Sequence, residues 1–206
     1  MHLNRKIIGI DLDNTVINYE KSIRELRKDY YPKINLINDS KEQLKATIIK
    51  AFGNQEWTNC QGLLYGKYIE FAELYDNCEK VISLLQKDGW EVQIISHKTE
   101  TSINKSMIPL RLSAKNWLIE NLSTAFQGET KLQSSIHFCD SIEEKIAKVL
   151  DLKCMVFVDD LYAVLDLLPK NLKRYWIFQN ETAMNKSIIP VTSWENLYRL
   201  ISNSND

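Results

Sequence analysis

Asp11 and Asp13 stand at the end of the apolar run Ile7-Ile8-Gly9-Ile10-Asp11-Leu12-Asp13-Asn14-Thr15. From Ile7 to Leu12 the run has no helical period and is β-branched at three of its six positions, so it reads as a buried strand. Side chains alternate along a strand, which points Asp11 and Asp13 to the same side. Two carboxylates at one strand end repel unless a metal ion or a proton separates their charges. That pairing suits Mg²⁺-dependent chemistry in which one carboxylate attacks and the other carries a proton. A strand running into an Asp/Asn turn gives the same residues without chemistry, so the other strand ends decide between the two.

A second apolar run, Glu91-Val92-Gln93-Ile94-Ile95, leads into Ser96-His97-Lys98-Thr99. A third, Cys154-Met155-Val156-Phe157-Val158, leads into Asp159-Asp160, and Lys145 lies on a predicted helix before it. In open parallel sheets, ligands bind beyond the carboxyl ends of the strands, where Asp11, Asp13, Ser96, Asp159 and Asp160 all fall.

The order Asp-x-Asp-x-Thr, strand–Ser, Lys, strand–Asp-Asp resembles the four motifs of the haloacid dehalogenase-like (HAD) hydrolase superfamily, over residues 5 to 180. The resemblance implies that Asp11 is a nucleophile forming an aspartyl-phosphate. It implies a Mg²⁺ site made from the Asp11 carboxylate, the Asp13 main-chain carbonyl and Asp160, with Asp159 beside it in the metal-binding pair. Asp13 would protonate the leaving oxygen and then deprotonate the hydrolytic water. Thr15, grouped with the substrate-binding residues, would orient Asp13 by a hydrogen bond. Ser96 would bind a phosphoryl oxygen, and Lys145 would neutralise charge on the nucleophile and the transferring group. Lys145 is preferred to Lys148, one turn on, because it lies nearer the helix start and hence the strand ends. His97 and Lys98 either touch substrate or are loop residues.

The elements that must position these residues are legible as alternating strands and helices. Strands are expected at 6–12, 91–96, 134–138, 154–158 and 173–178, separated mainly by helices. This alternation predicts an α/β, Rossmann-like three-layer domain with a mainly parallel sheet. Capping-box patterns open helices at Ser40-Lys41-Glu42-Gln43 and Asp76-Asn77-Cys78-Glu79, and Gly53 and Gly89 end them. Further helices are expected at 107–122, after a Ser141 cap, at 160–168 before Pro169, and at 194–201. The gap between the first two strands is too long for one crossover and carries at least two helices of its own. The resemblance makes this segment, 17–75, a helical cap on a core formed by 1–16 and 76–206. Such a cap contributes to substrate selection, and Arg24 and Tyr68 are the positions first expected to do so. Tyr19, Ile23, Leu26 and Tyr30 form one apolar stripe, and Lys21, Arg24 and Lys28 a charged face. Tyr65 and Tyr68 either line the cleft between cap and core or belong to the core.

With 206 residues, a net charge of −1 and 26% charged residues, the composition is that of an ordinary globular chain. The near-neutral balance gives no support to a nucleic-acid polymer as partner. Cys60, Cys78, Cys139 and Cys154 form no Cys-x-x-Cys pair, so a zinc site is not expected. Residues 1–6 lack the apolar core of a signal peptide, and no run has transmembrane length. A cytoplasmic location without membrane association is therefore the expectation. The polar tail from Ser202 to Asp206 should fray.

Together these features point to a Mg²⁺-dependent phosphomonoester hydrolase with a small phosphorylated substrate. The retained Asp13 favours phosphate over halide as leaving group, since halide needs no proton. A phosphomutase of the same superfamily, or a HAD-like module that binds metal or a partner without catalysis, remains the alternative. Neither substrate identity nor oligomeric state is written in the motifs.

Overall fold

Short β-branched runs become the strands of one sheet, because each can bury both faces only if helices cover both sides of it. The computed structural model describes residues 5–103, 107–178 and 183–203; Met1–Asn4, read above for a leader, and the end of the tail, 204–206, lie outside them. In chain order the elements are β1 (Lys6–Ile10), β2 (Ile17–Asn18), α1 (Glu20–Tyr30), α2 (Lys41–Phe52), α3 (Asn54–Tyr65), a 3-10 helix (Lys67–Phe71) and β3 (Glu73–Leu74). There follow α4 (Cys78–Lys87), β4 (Trp90–His97), α5 (Leu110–Leu122), α6 (Glu129–Ser134), β5 (Ile136–Cys139) and α7 (Ile142–Asp151). The chain closes with β6 (Val156–Asp159), α8 (Tyr162–Leu167), β7 (Lys173–Ile177), β8 (Ile188–Val191) and α9 (Trp194–Ser202).

Six strands pair in the order β5-β4-β1-β6-β7-β8, every pair parallel. From β1 the chain first winds outward through β4 and β5, then returns to build β6, β7 and β8 on the other side. The fold is α/β and Rossmann-like, and its topological switch point lies beside β1, where such sheets open a crevice at the carboxyl ends of their strands. One sheet face, with Ile8, Ile10, Val156 and Val158, packs on α4 and α9, and residues of α5 belong to the same apolar cluster. The other, with Ile7, Ile95 and Phe157, packs on α7 and α8 through Val149, Val164 and Leu165.

Between β1 and β4 the chain makes a helical excursion. The short antiparallel pair β2–β3, Ile17 opposite Leu74, brings its two ends together. Tyr19, Ile23, Leu44, Ile48, Trp57 and Leu64 within the excursion join the apolar cluster of the first sheet face. Tyr30 does not join the stripe expected of it and is exposed, because α1 ends there and the chain turns away.

Other local expectations need correction. The first strand stops at Ile10 rather than residue 12, because the Leu12 carbonyl accepts the amides of Val16 and Ile17 at 2.9 and 3.0 Å and closes a turn. Ser40 accepts the Gln43 amide, but the Gln43 side chain caps the amides of Ile37 and Asn38 instead of completing a box. Asn77 is left-handed and makes no side-chain cap. The helices expected from 107 and 160 begin at Leu110 and Tyr162, and the strand expected from 134 begins at Ile136. β8 is an addition; Pro190 hides it, and an edge strand tolerates proline.

Candidate active site

Asp11 follows the last residue of β1, and its amide donates to the Val158 carbonyl at 2.9 Å, which sets it beside the end of β6. Lys145 reaches the same point from the first turns of α7, whose start is fixed by Ser141 accepting the Glu144 amide. Its ammonium lies 2.6 Å from Asp11 Oδ1 and 2.7 Å from Asp159 Oδ2. Burial alone would discharge Lys145, but Asp11 and Asp159 more than offset it and hold the ammonium above its ordinary range. Lys148 stays partly exposed and pairs with Asp151 at 3.7 Å. One turn along α7 thus separates a lysine at the strand ends from one in solvent.

Asp13 sits in a different environment. Its carboxylate accepts the Tyr19 hydroxyl at 2.6 Å and pairs with Lys98 Nζ at 2.9 Å. Burial would raise the Asp13 carboxyl, but Lys98 and then Tyr19 reverse the balance and hold it below its ordinary range. Lys98 is fixed from several sides: its amide donates to Cys139, its carbonyl accepts Arg111 Nε at 2.8 Å, and its ammonium lies 4.5 Å from the Tyr65 ring centroid. Thr15 does not orient Asp13. It is fully buried and donates to Asp11 Oδ2 at 3.2 Å, because the turn after Leu12 curls it back beneath the first aspartate. The indole of Trp194 on α9 holds that turn by donating to the Thr15 carbonyl at 3.2 Å.

Asp159 and Asp160 diverge at the end of β6. Asp159 has both oxygens engaged, one by Lys145 and the other by the Leu161 amide at 2.9 Å. Asp160 has its carbonyl pinned by Trp176 Nε1 at 2.9 Å, while its carboxylate takes Asn14 Nδ2 at 3.3 Å. Burial, then Asp11 and Asp159, push the Asp160 carboxyl up to about 8. Burial likewise raises Asp11 to about 6, with Lys145 pulling it down and Asp159 and Asp13 pushing it up. Carboxylate oxygens of Asp11, Asp159 and Asp160 all lie within 4.8 Å of one another. A crowd of hard oxygen donors whose charges are under-compensated suits a hard divalent cation such as Mg²⁺.

Above these groups opens a cavity of about 320 Å³, lined on the strand-end side by Asp11, Asp13, His97, Lys98, Lys145 and Asp160. Across from them, α2 and α3 contribute Lys41, Thr58, Gln61, Gly62 and Tyr65. The spacing 58, 61, 62, 65 is one helical face. Ser96, buried near the end of β4, is outside this lining, as is Thr15. Arg24 and Tyr68 are also outside it: Arg24 pairs with Asp39 at 3.0 Å, and Tyr68 is core, bonded to Asp29. Lys21 and Lys28 form surface pairs with Glu73 and Glu25. Sequence reasoning missed Tyr19 and Lys41. Tyr19 looked like one more apolar-stripe residue, and Lys41 like a helix start. Lys41 acquires its neighbours only when the excursion folds over the sheet, whereas Tyr19 meets Asp13, six residues earlier, through the turn that closes on the Leu12 carbonyl.

Among the described residues, no helix is long and apolar enough to cross a membrane, and the four cysteines are free and buried.

No protein-family model matches the sequence, and no curated protein is detectably similar to it. Solved structures do match. A predicted phosphatase from Clostridium acetobutylicum is 16% identical, with 97% of this chain and 99% of that chain covered and a TM-score of 0.61. YfnB from Bacillus subtilis, described as a HAD-hydrolase bound to magnesium, is 14% identical over 95% of this chain and 98% of its own, with a TM-score of 0.58. A haloacid dehalogenase-like hydrolase from Streptococcus pneumoniae is 11% identical over 95% and 98%, also at 0.58. At these identities the likeness lies in the path of the chain, and that path is the fold of the HAD-superfamily hydrolases.

Proposed function

We propose that this chain is a Mg²⁺-dependent phosphomonoester hydrolase that works through an aspartyl-phosphate at Asp11 on a small phosphorylated metabolite. The observation that carries the reading is the placement of Asp11 and Asp13 at the switch point in opposed environments, one against Lys145 and the other against Lys98 and Tyr19. Two carboxyl groups whose surroundings separate their behaviour suit division of labour between nucleophile and proton carrier. The HAD fold and the magnesium reported for YfnB are consistent with it. The helical excursion serves as the cap.

Asp11, the Asp13 carbonyl and Asp160 would hold the metal, while Asp159 locks Lys145. When bound, Mg²⁺ supplies positive charge that lowers the Asp11 pKa and offsets its repulsion of the phosphoryl group. Asp11 attacks phosphorus, and Lys145 neutralises charge on the attacking and transferring oxygens. Asp13, hydrogen-bonded by Tyr19 and ionised at rest, would take a proton from the monoanionic phosphate of the arriving substrate, pass it to the leaving oxygen, and take one back from the water that opens the phosphoenzyme. The cap wall excludes bulk water from the intermediate.

The test is covalent. With an aryl phosphate and Mg²⁺, intact-mass measurement after rapid acid quench should detect a phosphoryl adduct. Asp11→Asn should abolish both adduct and turnover, and Asp13→Asn should accumulate the adduct in a burst. Chelation should stop turnover and Mg²⁺ restore it. An adduct on Asp11→Asn, or undiminished turnover in excess chelator, overturns the proposal.

A further inference from the structure

The two cations nearest the strand ends are already committed. Lys145 is held between Asp11 and Asp159, and Lys98 is paired with Asp13. Lys41, the third lysine lining the cavity, is different. It reaches the cavity from the first turn of α2, on the wall that faces the strand ends. Among the described residues no carboxylate forms an ion pair with it; its ammonium is hydrogen-bonded to the Tyr65 side chain and lies 5.7 Å from that ring's centroid, which leaves its remaining protons for a ligand. Burial opposes its charge, but Tyr65, Asp160 and Asp13 more than offset this, and Lys41 is held protonated above its ordinary range. On α3, the Gln61 side chain faces the same cavity and, among the described residues, has no hydrogen-bond partner. Thr58 spends its one proton on the Asn54 carbonyl at 3.2 Å, so it has no proton to offer an anion.

An ammonium that no carboxylate pairs with and a half-buried amide free to donate stand side by side on one wall of the cavity, a combination that suits an anionic group. In-line attack by Asp11 would place the leaving group on the side of phosphorus opposite Asp11, and α2 and α3 form the cavity wall across from the strand ends. We propose that Lys41 and Gln61 bind a second anionic group, a carboxylate or a second phosphate, on the leaving-group side of the substrate. The substrate class is therefore a small phosphorylated acid or bisphosphate rather than a phosphorylated neutral polyol. This inference rests on the phosphomonoester reading above. Lys41 is a specificity residue in it, and the bonds made and broken at Asp11 do not involve it.

The experiment uses two matched pairs with the Mg²⁺-loaded protein. Glycerol 3-phosphate and 3-phosphoglycerate differ by a CH₂OH against a carboxylate. Fructose 6-phosphate and fructose 1,6-bisphosphate differ by a second phosphate. The wild type should favour the charged member of at least one pair in kcat/KM, and the pair in which it does so identifies the anion. A charge-assisted hydrogen bond is worth roughly ten- to a hundredfold in binding, so Lys41→Gln should reduce that preference by about tenfold or more, through the KM of the charged member. Lys41→Arg should restore most of it, which a folding defect at this position would not allow. No preference in either pair overturns the proposal. So does an equal loss on both members, which would place Lys41 on the transferring phosphoryl group or on Asp160. Calorimetric binding to Asp11→Asn separates this proposal from the hydrolysis reading. A Lys41-dependent preference for 3-phosphoglycerate there, without turnover by the wild type, would sustain the subsite and sink the hydrolase. Turnover by the wild type without such a preference would do the reverse.

Discussion

At the scale of single residues, Asp11 and Asp13 show how far surroundings can drive identical side chains apart. Burial raises Asp11 to about 6 despite Lys145, whereas Lys98 and Tyr19 overcome burial and hold Asp13 low. Lys98 thus keeps Asp13 ionised before substrate arrives, the form required of a base. Removing Lys98 leaves burial less opposed, so the Asp13 carboxyl rises. In the proposed mechanism, hydrolysis of the phosphoenzyme would need ionised Asp13, so the acid limb of that step should move to higher pH in Lys98→Met. A pH–rate profile with an aryl phosphate, for which breakdown of the proposed intermediate would be limiting, reads this directly. An unmoved limb, or one moved to lower pH, removes Lys98 from the control of Asp13. Tyr19→Phe, which deletes one hydroxyl from the same carboxylate, should move the limb the same way by less.

At the scale of elements, the central strand is coupled to the site through one glycine. A Cβ on Gly9 would meet the Phe157 ring at 2.7 Å and Ile95 at 3.0 Å. Phe157 is fully buried, and Lys145 Nζ lies 5.5 Å from its ring centroid. Gly9→Ala should therefore overpack the layer between β1 and α7, at a cost of about 1–3 kcal/mol. For a chain of this size that is a fall in Tm of about 2–4 °C per kcal/mol. Because Phe157 must yield, Lys145 should be displaced as well, and turnover should fall more than stability alone explains at temperatures where the variant is folded. A thermal melt indistinguishable from wild type would mean that Phe157 gives way freely and the strand–helix layer is looser than its burial implies.

At the scale of the whole molecule, the metal should matter to stability as well as to turnover. The folded-state values of Asp11 and Asp160, about 6 and about 8, stand above the ordinary 3.8. Between 3.8 and these values the folded, metal-free protein binds more protons than the unfolded chain, so stability falls as pH rises through that window. Asp13 has the opposite sign, but its contribution is complete above its ordinary value and does not vary between about pH 6 and about pH 8. Metal-free protein should thus melt at a lower temperature at about pH 8 than at about pH 6. Mg²⁺ competes with those protons, so the rise in Tm on adding it should be larger at the higher pH. Melting curves in chelator and in Mg²⁺ at both values check this. A metal-induced shift that shrinks as pH rises would contradict the assignment of Asp11 and Asp160 to the cation.

Sequence alone determined the parallel α/β core. Strand runs such as Ile7–Ile10 and Val156–Asp159 are short, β-branched and punctuated by turn residues, and burial on both faces is a local property of such runs. It also indicated that Asp11, Asp13, Asp159 and Asp160 could converge, because the carboxyl ends of parallel strands must share one side of a sheet. What it could not determine is who touches whom across the crevice. Thr15 bonds Asp11 rather than Asp13 because a turn closes on the Leu12 carbonyl, and Trp194, far along the chain, donates to the Thr15 carbonyl within that turn. Tyr19 and Lys41 look in sequence like a core aromatic and a helix start. Tyr19 reaches Asp13 across a turn of six residues, and Lys41 takes its place because the excursion folds back onto the sheet, so that α2 and α3 form the far wall of the cavity. Contacts between segments so distant along the chain are set by tertiary packing, and no spacing rule within either segment encodes them.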